Sequence, residues 1–226
     1  MSLSRRSPDN SHLSLSGERA NHSLQIGDQY VVRDNTSWPI ARAYLIGKRI
    51  LPQMVDSLSE AGMIYADAQR PEPNLVFLHR NARRKILGAS VCSISDDPAP
   101  ISCRGSKDTA WFYIGDLVNA HTVAAVESPI DALSFYCLRG SPDIAVVSCT
   151  KAVAPDELML QAYERKQAFV VAFNNTAAGE HGWQKAWDDT ADWTGFKISS
   201  DCPALKDWNA DLIHNLEQHK ARSIKI

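Results

Sequence analysis

One carboxylate stands where a chain of alternating strands and helices puts its chemistry. Residues 123–126 are a short apolar run, followed at once by Glu127, then Ser128 and Pro129, then an amphipathic stretch that opens with Asp131. A short apolar run closed by proline and polar residues reads as a buried strand. Pro129 suits the first turn of a helix, where its missing N–H costs nothing. Glu127 therefore occupies a strand tip on the turn into a helix, the edge of an open α/β sheet at which ligands bind. Opposite charge gathers elsewhere. Arg80, Arg83, Arg84 and Lys85 crowd the segment HRNARRK at 79–85, with Lys48, Arg49, Arg104 and Lys107 in the same part of the chain. Lys151 follows a later strand. Such cations can neutralise a nucleic-acid backbone; a run of this kind is equally read as a solvated turn. Asp207 and Asp211, four apart, share one face if their segment is helical, and Asp207 is also placed to cap that helix.

Periodicity supplies the elements that must position these groups. Residues 40–51 and 52–64 have helical spacing, with Pro52 opening the second helix and Gly62 closing it. Strands follow at 63–65, 74–78, 86–94 and 110–114, so the first half reads as a small α+β unit with an antiparallel sheet. HRNARRK falls in a hairpin loop of that sheet. From His121 the period changes. Strands at 123–126, 144–148, 169–173 and 196–199 alternate with helices at 130–138, 155–165, 177–188 and 208–219. That alternation implies a largely parallel sheet covered on both faces. Trp183 and Trp187 share one helix face, as core packing or an interface more readily than as a base-stacking platform. The chain thus divides into an N-terminal tail at 1–36, an α+β domain at 37–118 and an α/β domain at 119–226. The tail is read as flexible because residues 1–28 are rich in Ser, Asn, Arg and Gly.

Composition narrows the classes. The formal net charge is −2, so any surface for nucleic acid must be local rather than global. The five cysteines are odd in number and widely spaced with no CxxC pair, which excludes a zinc ribbon or finger and favours reduced thiols in a cytoplasmic protein. No apolar run approaches the ~20 residues a membrane span needs. Arg5 and Arg6 are not followed by the apolar stretch of a secretory signal. GxGxxG, P-loop and GxSxG motifs are absent, which removes the usual grounds for small-molecule enzymology.

The stretch ESPIDALS at 127–134 resembles the first motif of Toprim domains, the fold shared by topoisomerases, bacterial primases and several nucleases. The likeness covers roughly residues 40–214 and is nearest to the Toprim-like domains of plasmid and mobile-element proteins, which follow a small domain. Tyr44-Leu45, Gly88-Ala89, Arg104-Gly105-Ser106-Lys107 and residues 112–115 match that small domain, and the segment from Lys206 to Asp211 matches a closing KDWN.D motif. The resemblance implies a glutamate that handles protons, here Glu127, and two aspartates after a later strand that hold Mg²⁺. The later strand here is followed by Asn174-Asn175-Thr176-Ala177-Ala178-Gly179. In that register Asn174 and Thr176 fall at the aspartate positions. Both are neutral, and a hard cation needs charged oxygen ligands. The metal set reduces to Glu127 with Asp207, and Mg²⁺ binding should be weak.

The expected function is that of a Toprim-like, nucleic-acid-associated protein of a plasmid or mobile element. Metal-dependent phosphoryl transfer would be weak or absent. DNA is preferred to RNA as partner, replication or transfer proteins are further partners, and no membrane is involved. Glu127 is the catalytic candidate. Arg80, Arg83, Arg84, Lys85, Arg104, Lys107 and Lys151 are the nucleic-acid-binding candidates. The alternative is a regulatory or protein-interaction module whose catalysis has lapsed.

Overall fold

A computed structural model of the chain describes residues 23–26, 29–67, 73–94, 102–105 and 109–223. Lys107 and residues 1–22 lie outside the described residues. The first part holds the strand pair β1 (Ser23–Ile26) and β2 (Gln29–Val32), helices α1 (Trp38–Gly47) and α2 (Pro52–Glu60), and an antiparallel sheet in the order β3-β4-β5-β6. Those strands are β3 (Ile64–Ala66), β4 (Asn74–Arg80), β5 (Ile86–Ser93) and β6 (Ser102–Gly105). Gly62, at φ 69°, ends α2: its N–H donates to Ser59 and that of Met63 to Leu58, the double bond of a Schellman motif.

The second part begins with β7 (Phe112–Ile114) and β8 (Thr122–Val126). It continues through α3 (Pro129–Arg139), β9 (Ile144–Ser148), α4 (Asp156–Glu164), β10 (Ala168–Val171), α5 (Ala177–Asp189), β11 (Ile198–Ser200) and α6 (Trp208–Ser223). The sheet order is β11-β10-β8-β9-β7, with the first four strands parallel and β7 antiparallel to β9. This is the helix-flanked, mostly parallel α/β sheet that the alternating pattern predicts.

Side-chain alternation along β8 explains the layers. Ala124 and Val126 face a core shared with Phe135 of α3, Trp208 and Leu212 of α6, Leu45 of α1 and Phe77 of β4. Val123 and Ala125 face the opposite side, against Leu158 and Met159 of α4 and Ala186 of α5. Trp208 locks the first layer: its ring meets Phe135 edge-on at 4.7 Å and its indole N–H donates to the Ala172 carbonyl at 2.7 Å.

Two expectations change. The strand at 110–114 forms, but as β7 it pairs with β9 instead of completing the small sheet, and only Trp111 bridges back to Arg80. Its residues alternate apolar to both sides, so Phe112 packs on Phe77 (ring centres 5.0 Å apart) while Tyr113 joins the opposite layer. Residues 23–26 and 29–32, inside the expected tail, pair as an antiparallel ribbon.

Candidate functional site

The chain leaves β8 through α3 to reach β9 on one side, then returns through α4 to lay β10 on the other side of β8. Strand order therefore reverses at β8. A crevice opens at the carboxyl ends of β8 and β10, where two successive connections part to opposite faces. Glu127 ends β8 and Asn174 follows β10, and the two meet there: the Asn174 backbone N–H donates to Glu127 Oε1 at 2.9 Å.

Asp131 forms the floor. Ser128 caps α3, its Oγ accepting the Asp131 N–H at 3.0 Å and donating to Asp131 Oδ2 at 2.6 Å. Asn174 Nδ2 donates to the same carboxyl oxygen at 3.4 Å. Burial pushes the Asp131 carboxyl up to about 6, and the charges of Asp207 and Glu127 push the same way against the two side-chain hydrogen bonds. The Asn174 Oδ1 atom is buried without a hydrogen-bond partner.

The other two acidic-motif positions serve helix ends. Thr176 Oγ1 accepts the Gly179 N–H at 3.1 Å and so caps α5. Asp207 Oδ1 accepts the Ala210 N–H at 2.8 Å and caps α6. Asp211, four residues on, takes the N–H groups of Ala204 and Leu205, both at 2.8 Å, and stabilises the turn before α6. Gly179 has no room for a side chain, since an added Cβ would sit 2.0 Å from the Asn174 carbonyl oxygen. The first turn of α5 thus rests directly on the backbone that carries Asn174.

A cleft of about 530 Å³ lies over these groups. Glu127, Asp131, Asn174 and Asp207 line it, with Tyr44 and Lys48 of the α1 region, Lys151 after β9, and Lys206 before α6. Thr176 is not among its lining residues and faces a smaller cavity beside Asp201 and Cys202. A second cleft of about 620 Å³ shares Thr150 and Lys151 with the first and extends it toward Cys103 of β6.

Arg80, Arg83, Arg84 and Lys85 lie apart from the cleft. Arg80 stacks on Tyr113, its guanidinium 4.5 Å from the ring centre, and desolvation lowers its pKa. It borders a small cavity with Arg84, Gly115 and Asp116. Gly115 abuts the start of β9 while Tyr113 pairs with Val147 near its end, so this cavity flanks β7 at the outer margin of the sheet. β9 separates β7 from β8, which sets this cavity roughly 10 Å to the side of β8. Arg83, Arg84 and Lys85 are exposed on the β4–β5 hairpin, where Asn81 Oδ1 accepts the N–H groups of Arg83 and Lys85. Arg104 sits on β6 opposite Ala89. Of the sequence-derived site residues, the cleft therefore gathers Glu127, Asn174, Asp207 and Lys151. Sequence reasoning named Lys48 only within the basic cluster and Tyr44 and Lys206 only as motif residues, none of them as a neighbour of Glu127. Lys206 was signalled by its place beside Asp207; nothing local connects Lys48 to Glu127.

The donors at this edge do not fit a tightly held hard cation. Asn174 brings no charge, Thr176 and Asp207 are engaged as caps, and among the described residues no three His, Cys, Asp or Glu side chains gather as a metal-binding group.

A family model described as Toprim-like matches residues 124–212, the span from β8 into α6 that carries Glu127, Asn174 and Asp207. Among solved structures, the primase fragment of the bacteriophage T7 primase-helicase is similar over 75% of this chain and 70% of its own, at 17% identity and a TM-score of 0.55. The DnaG primase catalytic domain bound to ssDNA is similar over 82% of this chain and 73% of its own, at 14% identity and a TM-score of 0.56. The DnaG catalytic core is similar over 77% of this chain and 60% of its own, at 15% identity and a TM-score of 0.52. At these identities it is the fold that is shared. No curated protein matches the chain.

Proposed function

We propose that this chain is a nucleic-acid-associated protein of a plasmid or other mobile element, in which a small α+β domain precedes a Toprim-like domain. The carrying observation is the cleft at the strand-order reversal, where Glu127 and Asn174 meet beneath Lys48, Lys151 and Lys206. Primase catalytic cores, one of them bound to ssDNA, have this fold, which supports a polynucleotide as the ligand. DNA is the preferred strand, and replication or transfer proteins are the preferred partners. Arg80, Arg83, Arg84, Lys85, Arg104, Lys107 and Lys151 contact the backbone. Among the described residues no helix is long and apolar enough to cross a membrane, and the chain works in the cytoplasm.

Metal-dependent phosphoryl transfer is weak or absent in this reading, with Glu127 as the group that would handle protons and with Glu127 and Asp207 as the acidic ligands for Mg²⁺. The capping roles of Thr176 and Asp207 favour the second reading, a regulatory module that keeps the fold without the reaction.

One experiment tests both. Mg²⁺ and Mn²⁺ binding, strand cleavage and primer synthesis are measured for the natural chain and for Asn174→Asp/Thr176→Asp. Metal binding confined to the double variant supports the lapsed site. Activity in the natural chain that Glu127→Gln abolishes overturns it. Failure to bind single- or double-stranded DNA or RNA in low salt rejects the nucleic-acid reading itself.

A further inference from the structure

The cleft holds as many lysines as carboxylates, but the two sets differ in what they already touch. Glu127 accepts the Asn174 N–H, Asp131 is buried against Ser128 and Asn174, and Asp207 is engaged by the first turn of α6. Lys48, Lys151 and Lys206 have no such partners: among the described residues no carboxylate forms an ion pair with any of them. Lys48 only rests over the Tyr44 ring, 5.4 Å from its centre. Each acid thus has one carboxylate oxygen already engaged within the protein, whereas the three ammonium groups pair with no carboxylate among the described residues. Helices α3 and α6 both begin at this cleft, so the positive ends of two helix dipoles add to the lysines.

We propose that Lys48, Lys151 and Lys206 hold a phosphate group in this cleft directly, with no divalent cation between the phosphate and the protein. The ligand chemistry is a nucleotide or strand phosphate, which makes the inference a refinement of the proposed function and dependent on it for the identity of the ligand. A volume of about 530 Å³ suits a group of nucleotide size. Ammonium groups act here as point charges on flexible stems, the usual way a lysine meets a phosphate. In a metal-bridged site Glu127 is an attractive element, because it holds the cation that holds the phosphate. In a lysine-held site Glu127 is a like charge beside the ligand.

The test uses the full chain and inorganic tripolyphosphate, titrated calorimetrically in EDTA, and a labelled single-stranded oligonucleotide followed by anisotropy. Tripolyphosphate binds in EDTA. Lys48→Gln, Lys151→Gln and Lys206→Gln each weaken it about three- to tenfold, and Glu127→Gln tightens it or leaves it unchanged. Circular dichroism confirms that each lysine substitution, two at exposed positions and one at half-buried Lys48, leaves the fold intact. Binding that requires Mg²⁺ or Mn²⁺, or that Glu127→Gln abolishes, overturns the proposal; so does indifference to all three lysine variants. If tripolyphosphate binds and no oligonucleotide does, the phosphate site stands and the nucleic-acid reading falls. If the oligonucleotide binds through Arg83, Arg84 and Lys85 alone, the nucleic-acid reading stands and the lysine site falls.

Discussion

The two edges of the five-stranded sheet are built from the same strands and yet do different work. At the strand-end edge, polar side chains are spent on helix starts: Ser128 on α3, Thr176 on α5, Asp207 on α6. Each cap leaves a carboxylate or amide near the reversal of strand order, and the cleft forms among them. At the strand-start edge, polar groups serve as fasteners. Buried Gln167 donates to the carbonyls of Leu117 and Ala120, tying the entry of β10 to the loop before β8. The difference teaches that charge alone does not mark the site. The basic hairpin carries more cations in sequence, while the fold places it beyond β7, two strands from Glu127 at the end of β8.

The largest effect that would break this contrast is loss of Trp208. Trp208→Ala removes a fully buried ring and the hydrogen bond to Ala172, and should destabilise the chain by about 3–5 kcal/mol in denaturant titration. A change near zero would mean that α6 does not hold the strand-end edge. Asp131→Asn acts in the other direction. The carboxyl, held up to about 6, keeps its proton in the folded chain where the unfolded chain has lost it. Stability should therefore fall as pH rises from about 4 to 6 and stay level above. The variant should be more stable than the natural chain by up to about 3 kcal/mol at pH 7.5, and equal to it near pH 4. Equal loss at both pH values would sink the burial argument.

Gln167→Ala tests the fastener at the opposite edge. It strands two carbonyls and should cost about 1–3 kcal/mol with little change in tripolyphosphate binding. Asp207→Ala removes a cap and should cost about 1 kcal/mol, readable as a shift in melting temperature. The smallest effect on stability belongs to Arg83→Ala/Arg84→Ala/Lys85→Ala, within about 0.5 kcal/mol of the natural chain. That variant sharpens the comparison through binding instead. If the hairpin contacts a strand, the salt dependence of binding should flatten by about one unit of slope for each lost phosphate contact. No flattening would leave the hairpin as a solvated turn.

Much of the second half was legible in residues. The strands at 123–126 and 144–148 and the helices that follow 129, 155, 176 and 207 carry their own punctuation: apolar runs, prolines at helix starts, capping side chains. Glu127 at a strand tip was readable for the same reason, because a strand end and a helix start are adjacent in sequence. The pairing of β7 with β9 was not. Three apolar residues fit either sheet, and the choice is made by Phe112 and Tyr113 finding different cores on their two faces. The ribbon at 23–32 was hidden because its short strands sit in polar surroundings.

Local order, the alternation of elements and the neutrality of Asn174 and Thr176 belong to the sequence alone, since each depends on residues within one or two turns of one another. Tertiary structure decided which charges meet. Lys48 comes to Glu127 because α1 and α3 bury their apolar faces in one core, and Arg84 is carried beyond β7, to Gly115 and Asp116, by the turn that follows β4. Chain direction and strand order are global properties, so the company a side chain keeps at a sheet edge is set by packing and not by its neighbours in sequence.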